Sequence, residues 1–587
     1  MPTQRKEPEV SDAIAFWTTH SLDKVFPDSM PPPGGGSEIR LCAARGEVED
    51  AQIAVRVPPD DDAKAASFDL GDLEGPDGAR IPGECLEAYW QWYTYVIENP
   101  PHNTDPATYL RKAPAFFPDG FLEQRIIRIL PGHTQPLWVM VRVPQDARAG
   151  LYRGEVCVRI LHGKRKTTER RVPVSLEVWP FELPAQGRLR HTEWFWPGLL
   201  ADYYHLEPWS EEHWQWIERV ARDMARHRQD MVLTPFFDFL GCPGLVTVVR
   251  RRDGSFSFDF SRLDRWIDTF AREGVNWIEG AHLAGPADPD WESKFAFHRF
   301  PVADESGAPI DTSRRAMSDE EFEGVMEALL KACRRHIESR GLGDRYVQHV
   351  ADEPCETTEE SWRAISEAVG RWLPGVPRID AMLCSGLEGL VELRVPLINT
   401  VTEPSTLQPP EELWTYVACH PQGYGPNRFL DYRSIRNRIM FWLCWRFGLK
   451  GFLHYGYNYW TVGIPAPATV RISPWTDATA ISHYCKGRLE LPAGDPFLVY
   501  PGEGDICSSI RWEVIRKGIE DFEYLSMLEE LAGEAAPGPA RSQAEALLER
   551  VRTLIAPDAL SYTWDDALLL RTRKEIGQAI CELMAAR

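Results

Sequence analysis

Two adjacent acidic residues, Asp352 and Glu353, have the placement in this sequence that best suits chemistry. They close the apolar run YVQHVADEP (residues 346–354), where Pro354 prevents further strand pairing. Two neighbouring carboxylates repel each other, which raises the pKa of one of them and keeps that group protonated near neutral pH. One protonated and one charged carboxyl group is the minimum equipment for cleaving a glycosidic bond. A polar strand terminator without a catalytic role explains the same letters equally well.

Aromatic and hydrogen-bonding side chains close several other apolar runs. The C–H faces of a sugar pack on indole and phenol rings, whose polar tips stay hydrogen-bonded. We therefore expect sugar-binding residues at these positions, although core packing explains any single one of them as well. The candidates are Trp194, Trp196, His282, Tyr416, Tyr455, Asn458 and Trp460.

Eight apolar runs alternate with amphipathic helical segments between about residues 190 and 460. This spacing predicts an α/β fold, a closed (β/α)8 TIM-like barrel, in which active sites form at the C-terminal ends of the strands. A doubly wound sheet is the alternative, but it would more naturally carry a Gly-rich phosphate loop, which the sequence lacks. The runs are residues 190–196, 231–237, 276–283, 346–354, 378–384, 395–401, 413–420 and 451–460.

The segments on either side of these runs have different patterns. Residues 1–185 consist of short alternating stretches with frequent Gly and Pro, which predicts an all-β sandwich domain. Residues 186–484 would form the catalytic barrel. Residues 485–587 are helical in pattern, with one continuous apolar stripe beginning near Ile510, and we expect them to pack on the barrel.

The composition excludes several classes of protein. A net charge of −22 over 587 residues repels phosphate backbones and anionic membranes, so no nucleic acid and no membrane partner is expected. The longest apolar run, residues 439–445, is far shorter than the ~18 residues of a membrane span. No secretory leader is visible, which predicts a cytoplasmic protein. No HExxH, CxxC, GxSxG or Walker pattern is present, so neither a metal nor an organic cofactor is expected.

Three segments resemble glycoside hydrolase family 123 and its related group of uncharacterised barrel domains. They are the DEP strand end, WRFGLKGFLHYGYNYW (residues 445–460) and YPGEGDICSSIRWEVIRKGIEDFEYL (residues 500–525). Residues 15–58 are similar to the sandwich domain of that group. The resemblance implies a β-N-acetylgalactosaminidase that works by substrate-assisted catalysis.

Carried onto this chain, the resemblance assigns roles to individual residues. It implies that Glu353 is the general acid and base and that Asp352 orients the 2-acetamido group and stabilises the oxazolinium ion. Under the same resemblance Tyr416 would hydrogen-bond the acetamido oxygen and Trp194 and Trp460 would stack on sugars. Arg511 and Glu513 would bind hydroxyl groups.

Three functions remain open. The first is an exo-acting, retaining glycosidase that releases terminal β-linked N-acetylgalactosamine from an oligosaccharide or glycoconjugate. The second is a glycosidase of the same fold for a sugar without an acetamido group, which needs another carboxylate, and Glu403 in TVTEPS is the candidate. The third is a catalytically silent sugar-binding protein, against which the intact Asp352 and Glu353 argue.

Overall fold

A computed structural model describes residues 13–586, apart from 104, 240–241, 288–292, 383–388, 402–411, 461–472 and 480–490. It has a β-rich N-terminal part, a barrel of parallel strands and a group of C-terminal helices, as the sequence predicts. The domain boundaries near residues 185 and 484 stay predictions.

Two facing sheets make up the N-terminal part. One has the order β1-β3-β10-β7-β8 and the other β2-β12-β11-β4-β9, with β5 and β6 at its side. Alternating apolar side chains such as Ile53, Val139 and Val158 fill the space between the sheets, which is the pattern of a sandwich. The strands are β1 (Ala15–His20), β2 (Ile39–Arg45), β3 (Val48–Arg56), β4 (Ala63–Leu70), β5 (Leu73–Glu74), β6 (Arg80–Ile81), β7 (Leu86–Val96), β8 (Ala115–Phe121), β9 (Ile126–Arg128), β10 (Thr134–Arg142), β11 (Gly150–His162) and β12 (Thr167–Glu182).

Each of the eight predicted runs contributes to the parallel strands of the barrel. Six strand positions pair in the order β14-β17-β22-β23-β24-β25, and three pair as β13-β27-β26. β13 lies beside β14, and Leu397 bridges to Tyr416, so the ring is nearly closed. The strands are β13 (Arg190–Glu193), β14 (Met231–Thr234), β17 (Trp277–Gly280), β22 (Tyr346–His349), β23 (Arg378–Met382), β24 (Leu393–Pro396), the interrupted seventh strand β25 (Glu412–Leu413) and β26 (Thr415–Tyr416), and β27 (Gly451–His454).

Short strands outside the barrel ring were not predicted. They form small sheets of two to four strands in the connections, and a last hairpin precedes the C-terminal helices. These strands are β15 (Thr247–Arg250), β16 (Phe256–Asp259), β18 (Ala284–Pro286), β19 (Phe295–Phe297), β20 (Val302–Asp304), β21 (Pro309–Ile310), β28 (Tyr500–Pro501) and β29 (Ile506–Cys507).

Helices separate most of the barrel strands, and three more follow the hairpin β28–β29. Their ends obey ordinary capping chemistry: Ser318 and Glu321 form a capping box, and the Ser509 hydroxyl accepts from the backbone N–H of Trp512. No helix in the described part of the chain is long and apolar enough to cross a membrane. The helices are α1 (Pro197–Tyr204), α2 (Glu211–Arg226), α3 (Ser261–Glu273), α4 (Asp319–Ser339), α5 (Glu359–Trp372), α6 (Ile435–Arg446), α7 (Ile510–Glu534), α8 (Pro539–Arg550) and α9 (Asp566–Ala585).

Candidate active site

The acid pair lies just beyond the C-terminal end of β22, the fourth barrel strand. Asp352 and Glu353 are both partly exposed, between buried Ala351 and buried Pro354. Glu353 has a φ of 48°, a left-handed conformation that costs a residue with a side chain about 1 to 3 kcal/mol. Backbone strain of this kind persists only where the surrounding structure enforces it, and it is frequent at functional sites.

Protonation of the two carboxyl groups is linked. Burial, together with the nearby Glu353, raises the pKa of Asp352 well above its usual value. Burial also raises the pKa of Glu353, and a hydrogen bond from Tyr416 opposes that rise. The Tyr416 hydroxyl donates to Glu353 Oε1 at 2.6 Å. The pair therefore retains a proton at a pH where a lone carboxyl group has lost it, and Tyr416 favours Glu353 as the charged member.

A buried charge network supports the pair from inside the barrel. Nε2 of His349 lies 2.6 Å from Glu279 Oε1, and its Nδ1 lies 3.4 Å from Asp380 Oδ1. Burial alone would lower the pKa of His349, but the bonds to Asp380 and Glu279 outweigh it and raise that pKa to about 9. Asp380 Oδ2 also accepts from the backbone N–H of Ala351 at 3.0 Å, which fixes the residue before the acid pair.

His282 and Trp194 lie over this network. The His282 ring stacks on His349 with centroids 4.3 Å apart and meets Trp194 edge to face at 4.6 Å. Burial and the neighbouring His349 lower the pKa of His282 well below its usual value, so this imidazole is neutral. Trp194 Nε1 donates to Glu279 at 2.9 Å. These contacts place both candidates beside the acid pair, although each is at least nine-tenths buried.

Trp196, Tyr455 and Asn458 join the ends of the first and eighth strands. The Trp196 indole donates to the Tyr455 carbonyl at 2.7 Å, and the Tyr455 hydroxyl donates to Asp495 at 2.6 Å. Asn458 is fully buried. Its side-chain oxygen accepts from the backbone N–H of Trp196 at 2.9 Å, and its side-chain nitrogen donates to the Trp196 carbonyl at 3.2 Å. Asn458 therefore fixes the backbone of Trp196 at the end of the first strand, and its contact with a sugar stays a prediction.

Whether this site could hold a metal depends on His282, His349 and Asp380, whose ligand atoms lie within 4.8 Å of one another. The rings of His282 and His349 are stacked 24° from parallel. Their lone pairs lie in the two ring planes and do not converge on one point between them. His349 is also bound to two carboxylates, which leaves these residues a poor fit to a metal ion.

Two family matches cover most of the chain. Residues 194–528 match the glycoside hydrolase 123 catalytic domain, and residues 19–160 match the glycoside hydrolase 123 N-terminal domain. The chain belongs to glycoside hydrolase family 123. This family 123 member is therefore a glycosidase, and the resemblance stated from its sequence is confirmed.

A solved structure supports the fold of this family 123 chain. A family 123 glycoside hydrolase from Clostridium perfringens, described for glycolipid glycan hydrolysis, has a TM-score of 0.71 at 14% identity and covers 98% of both chains. The PapD-like domain of human CEP192 has a TM-score of 0.18 at 10% identity, covering 31% of this chain and 95% of its own. The periplasmic chaperone SfaE has a TM-score of 0.15 at 12% identity, covering 31% and 67%. Neither of the last two carries an argument, and no curated protein matches the sequence.

Three residues proposed from the resemblance are buried and bound within the protein in this family 123 chain. Trp460 is fully buried against Tyr203, and its indole donates to the Val499 carbonyl at 2.7 Å. Arg511 is fully buried and binds Asp119 of the sandwich at 2.9 Å.

Glu513 is 3% exposed. It is bound to His227 at 3.0 Å and to Arg516 at 2.9 Å. The polar atoms of all three residues are therefore bound by other parts of the protein, and their contacts with a sugar stay predictions.

The network under the acid pair was missed from the sequence of this family 123 chain. Glu279, His349 and Asp380 are charged residues inside otherwise apolar strands, and that pattern is the signal that could have found them. Glu403, the carboxylate of the alternative function, lies outside the described residues.

Proposed function

We propose that this glycosidase is an exo-acting, retaining β-N-acetylgalactosaminidase that works through the acetamido group of its substrate. The observation that carries the proposal is the adjacent pair Asp352 and Glu353, with linked protonation and with Glu353 bonded to Tyr416. A substrate that brings its own nucleophile needs one acid and one charge-stabilising carboxylate, and this pair can supply both.

Binding of the acetamido group would place the shared proton correctly. Without substrate, the Tyr416 hydroxyl favours the charged form of Glu353, which leaves the proton on Asp352. An acetamido N–H that donates to Asp352 favours the charged form of that residue instead. The proton then resides on Glu353, next to the glycosidic oxygen, so a substrate with the acetamido group prepares its own general acid.

The reaction then takes two steps. Glu353 gives its proton to the glycosidic oxygen while the C1–O bond breaks and the acetamido oxygen bonds to C1, forming an oxazolinium ion beside charged Asp352. Glu353, now charged, takes a proton from water as the water oxygen attacks C1 and the bond between C1 and the acetamido oxygen breaks. Two inversions at C1 give net retention, and the tethered nucleophile acts at a high effective concentration.

The substrate would be a neutral oligosaccharide or glycoconjugate with terminal β-linked N-acetylgalactosamine. The relative from Clostridium perfringens is described for glycolipid glycan hydrolysis, so a glycolipid head-group oligosaccharide belongs among the test substrates. We also propose that the protein acts in the cytoplasm, where its substrate would be a small imported oligosaccharide.

The test compares three nitrophenyl glycosides on wild type, Asp352→Asn and Glu353→Gln. The sugars are N-acetyl-β-galactosamine, N-acetyl-β-glucosamine and β-galactose. We expect the first to be cleaved and each variant to lose at least about a hundredfold in kcat. Glu356→Gln, an exposed carboxylate on the same connection, is the matched control and should keep full activity. Proton NMR should show the β-anomer as the first product.

Other outcomes identify other functions. Cleavage of a sugar without an acetamido group, lost in Glu403→Gln, would favour the second function. Sugar binding without turnover would indicate a silent binding protein. An Asp352→Asn variant that cleaves the acetamido substrate at the wild-type rate would exclude the substrate-assisted mechanism.

A further inference from the structure

The sandwich reaches the mouth side of the barrel through a loop between β7 and β8. Asn99 in this loop donates to Asp431 at 2.7 Å, and the backbone N–H of Leu110 donates to the Asp431 carbonyl at 2.8 Å. The backbone N–H of His102 donates to Gln422 at 3.0 Å. The loop is therefore docked on the barrel segment between β26 and α6, which follows the seventh strand.

That barrel segment begins directly after Tyr416, which contacts the acid pair. Tyr416, the last residue of β26, donates its hydroxyl hydrogen bond to Glu353. His420 follows four residues later and is exposed. Connections after the C-terminal ends of barrel strands surround the mouth, so His420 stands on the rim, on the connection that leads away from Tyr416.

The two domains meet at this rim through a pair of imidazole rings. His102 of the sandwich loop and His420 of the barrel stack with centroids 5.7 Å apart and planes 30° from parallel. Both side chains are exposed, so they present ring faces and nitrogen atoms to solvent beside the mouth. Histidine rings on a rim can pack against a sugar and hydrogen-bond its hydroxyl groups.

The segment that carries His420 is held rigidly. The buried Asn427 amide donates to the Ala418 carbonyl at 2.9 Å and to the Pro421 carbonyl at 3.1 Å, one residue on each side of the pair Cys419 and His420. A segment whose backbone is already fixed by hydrogen bonds loses little conformational freedom when a ligand binds, which favours recognition.

The charge state of His420 suits a neutral ligand. Burial and the neighbouring His102 lower the pKa of His420, so its ring is uncharged at neutral pH. Two carboxylates at this contact accept hydrogen bonds across it: Asp105 accepts from the Tyr424 hydroxyl, and Asp431 accepts from Asn99. A neutral saccharide unit fits the surface formed by His102 and His420 better than a sulfated or carboxylated one.

We propose that His102 and His420 form the wall that contacts the saccharide unit beyond the cleaved bond, so that the sandwich domain takes part in selecting the substrate. This inference rests on the proposed glycosidase function, and it adds a residue from outside the barrel to the site. His102 and His420 are specificity-determining residues in this scheme, and the chemistry stays with Asp352 and Glu353.

The test compares two substrates with the same terminal sugar. The methyl β-glycoside of N-acetylgalactosamine has nothing beyond the cleaved bond that could touch the wall, whereas a disaccharide with a galactose unit there would reach it. We expect His102→Ala and His420→Ala each to lower kcat/KM for the disaccharide by about three- to tenfold, the range for one lost hydrogen bond. The methyl glycoside should be cleaved as by wild type. His133→Ala, at another exposed histidine of the sandwich, is the control and should change neither value.

Each result decides the matter. An equal loss of kcat/KM on both substrates would mean that the variants disturb the acid pair or the fold. No loss on either substrate would mean that His102 and His420 do not contact the ligand. Both results would overturn the inference. A disaccharide that carries sulfate on its galactose unit should gain nothing from the wall, and a preference for it would overturn the neutral-ligand assignment. If wild type cleaves only a sugar without an acetamido group, the proposed function fails, and the same comparison on that sugar still tests the wall.

Discussion

Glu353 combines a catalytic side chain with a backbone conformation that favours glycine. Its φ of 48° should cost about 1 kcal/mol or more for any residue with a Cβ atom. We therefore expect Glu353→Gly to be more stable than Glu353→Ala by about 1 kcal/mol in urea unfolding. Both variants lose the carboxylate and the bond from Tyr416, so their difference reports the backbone alone.

The matching control uses the neighbouring residue. Asp352 is not among the residues with positive φ, so Asp352→Gly should be no more stable than Asp352→Ala. If the alanine variant at Glu353 were equally or more stable, the strain would be absent and its link to function would be lost.

Tyr416 sets the acidity of Glu353 through one hydrogen bond. A donor bound to a charged carboxylate stabilises that form, so Tyr416→Phe should raise the pKa of Glu353. In the complex Glu353 must be protonated, so a higher pKa keeps it protonated at higher pH. The alkaline limb of the kcat profile should therefore move to higher pH. Tyr455→Phe, whose hydroxyl binds Asp495, should leave the limb in place. A lower kcat with an unmoved limb would indicate that Tyr416 serves the acetamido group instead.

At the level of residues, the sequence indicated what a linear pattern can carry. Two acids before a proline at the end of an apolar run pointed to the acid pair, and Tyr416 followed from the same rule about strand ends. The sequence did not show how deeply each side chain is buried or which way it faces. The resemblance included Arg511 and Glu513 without saying which side of α7 faces the mouth, and the structure turns both toward other parts of the protein.

Among the elements, α7 is the one that ties the domains together. Its residue Lys517 is 1% exposed. The amino group of Lys517 lies 2.9 Å from Glu47, 2.7 Å from Glu49 and 3.3 Å from Glu520. Removing one partner of a buried ionic cluster leaves uncompensated charge, which costs about 3 to 5 kcal/mol. Lys517→Met should therefore lower the free energy of unfolding by several kcal/mol, as measured by urea titration.

An exposed lysine gives the comparison for that variant. Lys331 pairs with Glu327 one turn earlier on α4, at the surface, and Lys331→Met should cost about 0.5 kcal/mol or less. A similar small loss in Lys517→Met would show that the cluster tolerates an apolar side chain as well as a charge.

Element positions were predicted better than element lengths. Each barrel run contains part of a strand, but the strands have two to five residues and stop before the runs end. Side-chain pattern alone does not separate a paired strand from the apolar loop that follows it, because both are buried at the barrel mouth. For this reason Trp196 and Asn458 lie on connections rather than on strands. The strands outside the ring have only two to four residues, which is too short for a detectable pattern.

Across the whole molecule, one hydrophobic core runs through the predicted domain boundaries. Trp179 and Phe181 of the sandwich pack on Tyr524 of α7 with centroids 5.7 and 5.4 Å apart. Tyr524 also donates its hydroxyl to Glu47 at 2.6 Å. Arg511 joins the same helix to Asp119 of the sandwich. Part of the sandwich therefore belongs to the core around α7, beside the sandwich's own core between its two sheets.

Domains joined by a small polar interface unfold separately, whereas a shared core couples them. We expect calorimetry of the whole chain to show one transition whose calorimetric and van't Hoff enthalpies agree. Residues 13–185 produced alone would expose Trp179 and Phe181 and leave Glu47 without Lys517, so this fragment should lack a cooperative transition. Two separate transitions in the whole chain, or a fragment that melts at the temperature of one of them, would mean that the sandwich is stable by itself and that α7 only rests against it.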